Sequence, residues 1–128
     1  QEPCVILDGG HNPQCVRSIV SNLQQYFPGR KATFLFGVMA DKDYNQMLEI
    51  ILPHAERIIA VAPDNPRAIP AERLAKYIQL KGFAYVTPCG GIAEGIEYAV
   101  GTVRKEDVIC AFGSFYMAGA IRSYFGLS

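Results

Sequence analysis

The sequence predicts an α/β domain with a Rossmann-like, mostly parallel sheet and helices on both faces. Five short apolar runs carry the first half of this expectation: CVILD (4–8), ATFLFGV (32–38), RIIAVA (57–62), FAYVT (83–87) and DVICAF (107–112). They are rich in β-branched and aromatic residues and nearly continuous rather than alternating, as strands covered on both sides are. The second half comes from the segments between them, where the apolar spacing becomes helical. Parallel strands require such long crossovers, so strand and helix alternate along the chain.

The helices follow in order. Val16, Ile19, Val20 and Leu23 stand at i, i+3, i+4, i+7, and so do Tyr44, Met47, Leu48 and Ile51. Each set lines one face of a helix. Ala71, Leu74, Ala75 and Ile78 repeat the spacing, and Ile92, Ile96, Ala99 and Val103 follow it more loosely. A last helix is expected from about residue 115 to 125, closed by Gly126. Start signals agree: Asn12 before Pro13 reads as an N-cap and first helical residue, Asp43 with Gln46 as a capping box, and Pro70 with Glu72 as a third helix start.

A chain of 128 residues, half of them hydrophobic, can bury a core without staples. Lys+Arg and Asp+Glu are both 12, so no overall basic field favours nucleic acid or an anionic membrane, and neither partner is expected. Cys4, Cys15, Cys89 and Cys110 form no C-x-x-C pair, and His11 and His54 stand far apart, which is not a zinc pattern. Cys4 and Cys110 lie in strand-like runs as small hydrophobes, which points to a reducing, cytoplasmic setting. The chain starts QEPCVI without Met and reads as a piece of a longer protein, one domain over residues 1–128.

Ligands bind at the carboxyl ends of the strands in such sheets. The segments after those ends are DGGHNP (8–13), GVMADKDY (37–44), PDNPRAIP (63–70), TPCGG (87–91) and GSFYMAG (113–119). Four of the five carry polar groups that a plain loop does not require: Asp8, His11, Asn12, Asp41, Lys42, Asp43, Asn65, Arg67 and Ser114. Each has a structural reading as well. Asp8 can end a strand in an Asx turn, His11 can bond within its turn, and Asp43 and Ser114 can cap helices. Arg67, stiffened by Pro66, suits an anion best. There is no G-x-x-x-x-G-K-[ST] and no G-x-G-x-x-G, and GGIAEG (90–95) has the wrong spacing. Nor is there a nucleophile elbow. The chain thus offers anion-reading groups without a complete catalytic apparatus.

DGGHNP, GVMADKDY, NPRA and GSFYMAG, in this order and spacing, resemble the C-terminal domain of folylpolyglutamate synthase and bifunctional dihydrofolate synthase in the Mur ligase superfamily. The family usually reads DGAHN, and Gly10 stands here in place of the alanine. The resemblance implies an ATP-dependent ligase. ATP turns a folate or dihydropteroate carboxylate into an acyl phosphate, and the amine of L-glutamate displaces phosphate to form an amide. It implies ATP and magnesium held mainly by a separate N-terminal P-loop domain, no metal ligand in this domain, and a monomeric protein. Asp8, His11 and Asn12 would serve ATP, and His11 and Lys42 the chemistry. Lys42, Arg67 and Ser114 would receive glutamate. On this reading the isolated domain folds but does not ligate. A cell-wall amino-acid ligase of the same superfamily and a non-catalytic module of the same fold are the alternatives, the former disfavoured by GGHNP with ADKD.

Overall fold

The computed structural model describes residues 4–7, 12–102 and 108–112. Its strands are β1 (Cys4–Leu7), β2 (Ala32–Phe36), β3 (Ala55–Ala60), β4 (Val86–Pro88) and β5 (Val108–Phe112). The helices are α1 (Pro13–Tyr26), α2 (Tyr44–Ile51), α3 (Ala71–Leu80) and α4 (Ile92–Thr102), with a single 3-10 turn at Leu52–His54. All the strand pairs are parallel, in the order β1-β5-β2-β3-β4.

That order and the right-handedness of crossovers fix where the helices lie. The chain moves from β1 to β2 to β3 to β4 in one direction, so α1, α2 and α3 pack on one face. The return from β4 to β5 runs the other way and lays α4 on the opposite face. The two cores follow from this and from strand alternation. Phe34, Phe36, Ile58, Ala60, Val108 and Cys110 point to the first face, against Val16, Ile19, Leu23, Met47, Leu48, Ile51, Leu74 and Ile78. Leu35, Ile59, Val61, Ile109 and Ala111 point to the second, against Ile92, Ile96 and Ala99 of α4. Each large side chain fully buried in this way contributes roughly 1.5–3 kcal/mol.

The helix ends are built as the sequence suggests, with one difference. Asn12 Oδ1 accepts the Cys15 N–H at 2.9 Å, and Asp43 Oδ1 accepts the Gln46 N–H at 3.2 Å. The Gln46 amide donates back to Asp43 Oδ2 and accepts from Arg17 Nη2, both at 2.9 Å, which ties the start of α2 to α1. Asp43→Ala is therefore expected to cost about 1 kcal/mol in urea unfolding, the usual worth of an N-cap. Pro70 is itself the N-cap of α3 rather than its first helical residue. The chain is still extended there, with ψ at 140°.

Two glycines adopt positive φ where the chain must turn. Gly29, at 76°, is the third residue of the turn closed by the Arg30 N–H on the Phe27 carbonyl, with Pro28 before it. Gly82, at 98°, ends α3: its N–H bonds Gln79 O and the Phe83 N–H bonds Ile78 O, a Schellman arrangement.

The strand expected at 83–87 lies instead at Val86–Pro88. After Gly82 the chain needs three residues to reach the sheet. Phe83 and Tyr85 meet edge to face with centroids 6.2 Å apart, and Tyr85 stays exposed. Pro88, which lacks an N–H, is tolerated because β4 is an edge strand. The third strand also starts earlier than expected, at Ala55, and the second ends earlier, at Phe36. The helix expected at 115–125 lies outside the described residues.

Candidate functional site

In a parallel sheet every strand delivers its last residue to one edge, and every following helix starts there with unpaired N–H groups. Two of these strand-end segments are joined in the structure. After β2 the chain runs through Gly37 to Asp43, and after β3 through Val61 to Pro70. Met39 and Ala68 form an antiparallel bridge. The Ala40 N–H bonds Arg67 O at 2.8 Å and the Ile69 N–H bonds Val38 O at 3.0 Å. Val38, Met39 and Ile69 are buried beneath, so the bridge rests on the core.

Asn65 shapes the second loop. Its side-chain oxygen accepts the Arg67 N–H at 2.9 Å and its carbonyl accepts the Ala68 N–H at 3.0 Å, an Asx turn around Pro66. Arg67 is thereby presented outward, and its Nη1 lies 3.5 Å from Asp41 Oδ2 on the neighbouring loop. Both side chains are more than half exposed.

Lys42 follows a turn closed by its own N–H on Met39 O at 3.2 Å, and its carbonyl accepts the Tyr44 N–H at 2.9 Å. It is half-buried, directly before the N-cap of α2. A lysine there opposes the positive end of the helix dipole, so its position does not serve helix stability. It suits an anion that shares the same edge.

Lys42 and Arg67 are thus carried on two loops of one bridged unit. Asn12 lies at the same edge and spends its side-chain oxygen on capping α1. Asp8, His11 and Ser114 lie outside the described residues. Asp43 is committed to α2, in keeping with its reading as a cap. The ionic partner of Arg67 is what the sequence reading missed, because the pairing of 37–43 with 63–70 is a tertiary fact. Only the opposite charges of Asp41 and Arg67 hinted at it.

The connections from β3 and β4 leave toward opposite faces, which opens a crevice between their carboxyl ends. A pocket of about 340 Å³ lies there, lined by Ala62, Pro70, Ala71, Glu72, Pro88 and Gly90. The Gly91 N–H at the start of α4 is taken by Glu94 Oε1 at 2.7 Å. Two other hollows, one beside Arg57 and Tyr85 and one beside Pro53 and Lys81, belong to the amino end of the sheet.

Cys89 sits at the carboxyl edge after β4. Burial first, and the Glu94 carboxylate second, push its thiol above the usual cysteine range. A raised thiol pKa contributes stability that is complete below the unfolded pKa and is lost as pH rises through the folded one. It also leaves little thiolate near neutrality. Iodoacetamide at pH 8 is expected to modify Cys89 more slowly in the folded chain than in urea, read by peptide mass spectrometry. Equal rates would contradict the shift.

The chain matches the Mur ligase, glutamate ligase domain model over residues 1–115. It belongs to that family. Within it, the similarity to the C-terminal domain of folylpolyglutamate synthase and dihydrofolate synthase extends over nearly the whole chain. Folylpolyglutamate synthase of Lacticaseibacillus casei is 33% identical over 94% of the chain and 26% of its own length. The UDP-N-acetylmuramoyl-L-alanyl-D-glutamate–2,6-diaminopimelate ligase of Caldanaerobacter subterraneus is 32% identical over 85% of the chain and 23% of its own length. The folylpolyglutamate synthase of Mycobacterium tuberculosis, solved with ADP and AMPPCP, superposes with a TM-score of 0.83 at 25% identity, covering 97% of this chain and 30% of that one. The chain spans between 14% and 28% of the length of the first four curated relatives.

Proposed function

We propose that this chain is the glutamate-receiving domain of an ATP-dependent amide ligase of the folylpolyglutamate synthase type, with dihydrofolate synthase activity as a further capacity of the same protein. The observation that carries this reading is the bridge between 37–43 and 63–70, which sets Lys42 and Arg67 on one rigid unit at the carboxyl edge.

In the proposed reaction the γ-phosphoryl of ATP passes to a carboxylate of the folate, giving ADP and an acyl phosphate. The amino group of L-glutamate adds to the acyl carbon. The tetrahedral intermediate then expels inorganic phosphate, and the amine loses its proton as the amide forms. Lys42 faces the phosphate oxygens and stabilises charge as it moves onto the leaving group. Arg67 and Ser114 receive glutamate, whose two carboxylates call for a guanidinium fork and hydroxyl donors. Asp8, His11 and Asn12 attend the nucleotide, with His11 near the reacting groups. None of these residues is a nucleophile, so the domain acts by positioning as it closes on an N-terminal P-loop domain.

Magnesium belongs to the proposed chemistry, where it would neutralise phosphate charge. Among the described residues no group of three or more His, Cys, Asp or Glu side chains is placed to hold a metal, and the roles above run through this chain's own side chains. The protein is proposed to work as a cytoplasmic monomer.

The cell-wall relative keeps a second reading open, in which the substrate is a nucleotide-linked peptide. The deciding experiment is ADP release by the full-length protein with L-glutamate and, in turn, dihydropteroate, a reduced folate or a cell-wall nucleotide precursor. Release that depends on a pteroate is expected. Release with the precursor alone would replace this reading by the second.

A further inference from the structure

An arginine that binds a substrate carboxylate from an exposed loop must first give up about 2 kcal/mol of side-chain rotamer freedom. Its affinity therefore depends on how far the free protein has already oriented the guanidinium. Around Arg67 the backbone is fixed on both sides: its N–H bonds Asn65 Oδ1, and its carbonyl takes the Ala40 N–H as one of the two hydrogen bonds of the Met39–Ala68 bridge. The side chain extends from this frame into solvent, 69% exposed, and meets Asp41 on the opposite loop.

The contact has a particular form. Asp41 Oδ2 approaches the terminal Nη1 alone, at 3.5 Å. A guanidinium has five N–H donors in a planar fork, and a carboxylate is best held by two of them at once. The contact is made at Nη1, and Nε and Nη2 form another edge of the same planar fork. Asp41 is not committed elsewhere among the described residues, whereas Asp43 two positions on caps α2. The bridge sets the spacing of the two loops, so the carboxylate reaches Arg67 without a flexible linker between them.

We propose that Asp41 is a positioning residue for Arg67: it holds one corner of the guanidinium so that the opposite edge is presented to a carboxylate of the incoming amino acid. This rests on the proposed function, in which Arg67 receives glutamate. Asp41 does not itself touch the substrate. It lowers the ordering cost of the residue that does.

The test is a double-substitution cycle in the full-length protein, with ADP release measured against glutamate concentration at saturating ATP and pteroate. Asp41→Ala is expected to raise the glutamate KM about two- to fivefold, the range in which exposed ion pairs act. The kcat and the KM for ATP should stay near those of the unsubstituted protein. Asp41→Asn, which keeps an acceptor oxygen, should recover part of the loss. In an Arg67→Ala background, which itself raises the glutamate KM, Asp41→Ala should add nothing. The same factor in both backgrounds, or an unchanged KM in Asp41→Ala, would overturn the proposal. Absence of glutamate-dependent release from the unsubstituted protein is a different result: it would overturn the proposed function and this inference with it.

Discussion

Replacing Lys42 by alanine is expected to lower glutamate-dependent turnover of the full-length protein by roughly 10²–10³-fold, the usual loss when one group stabilising developing negative charge is removed. The fold should not notice. Lys42 precedes the N-cap of α2, where a positive charge is unfavourable to the helix dipole, and it has no side-chain partner among the described residues. Chemical unfolding of the variant should therefore stay within about 0.5 kcal/mol of the unsubstituted chain. Turnover falling while stability holds is the signature of a lysine placed for a ligand. Unchanged turnover would remove Lys42 from the site and favour a non-catalytic module.

The largest effect on stability is expected at Gly95. It lies in α4 on the face turned to the sheet, and a Cβ there would overlap Val61 Cγ1 and come to 3.0 Å from Leu35 Cδ1 and 3.5 Å from Ile59 Cγ2. Val61 is β-branched and fully buried, so its restricted χ1 gives it little room to withdraw. Gly95→Leu should destabilise by about 3 kcal/mol, the upper end of ordinary overpacking, and lower the thermal midpoint by about 10 °C. Gly101 in the same helix has open space around its Cα. Gly101→Ala should stabilise slightly, by up to about 0.5 kcal/mol near the helix end. Opposite signs from two glycines six positions apart would show that packing against the sheet, not helix propensity, decides the first. A loss of similar size at both would contradict the packing of α4.

Much of this fold is legible in the sequence because its signals are local. The stripe Val16, Ile19, Val20, Leu23 is buried throughout, as are Ala71, Leu74, Ala75 and Ile78. Asn12 and Asp43 cap helices because a short polar side chain before an apolar period has few other uses. Strand order is different in kind. Placing β5 between β1 and β2 depends on pairings as distant in sequence as Cys4 with Val108 and Thr33 with Ile109, and no local pattern encodes it. The fourth strand starts three residues later than expected because Phe83 and Tyr85 have strand-like composition but meet each other edge to face ahead of it, Tyr85 joining β3 only through its carbonyl on the Ile58 N–H. Gly95 reads as a weak point in a helix until the sheet beneath it is known.

The candidate site divides in the same way. That Lys42 and Arg67 share an edge follows from a parallel sheet, which sends all strand ends to one side. That Asp41 meets Arg67 does not follow, because it needs the bridge between Met39 and Ala68. Asp8, His11 and Ser114 fall outside the described residues, so their roles rest on motif resemblance and the rules for strand ends alone.

The bridged loops at the carboxyl edge are expected to face the substrates. A crystal structure of the full-length protein with a non-hydrolysable ATP analogue and L-glutamate bound tests this. Lys42 Nζ is expected within hydrogen-bonding distance, about 3 Å, of a phosphate oxygen, and the Arg67 guanidinium paired with a glutamate carboxylate. Substrates bound with both side chains turned to solvent away from them would contradict it.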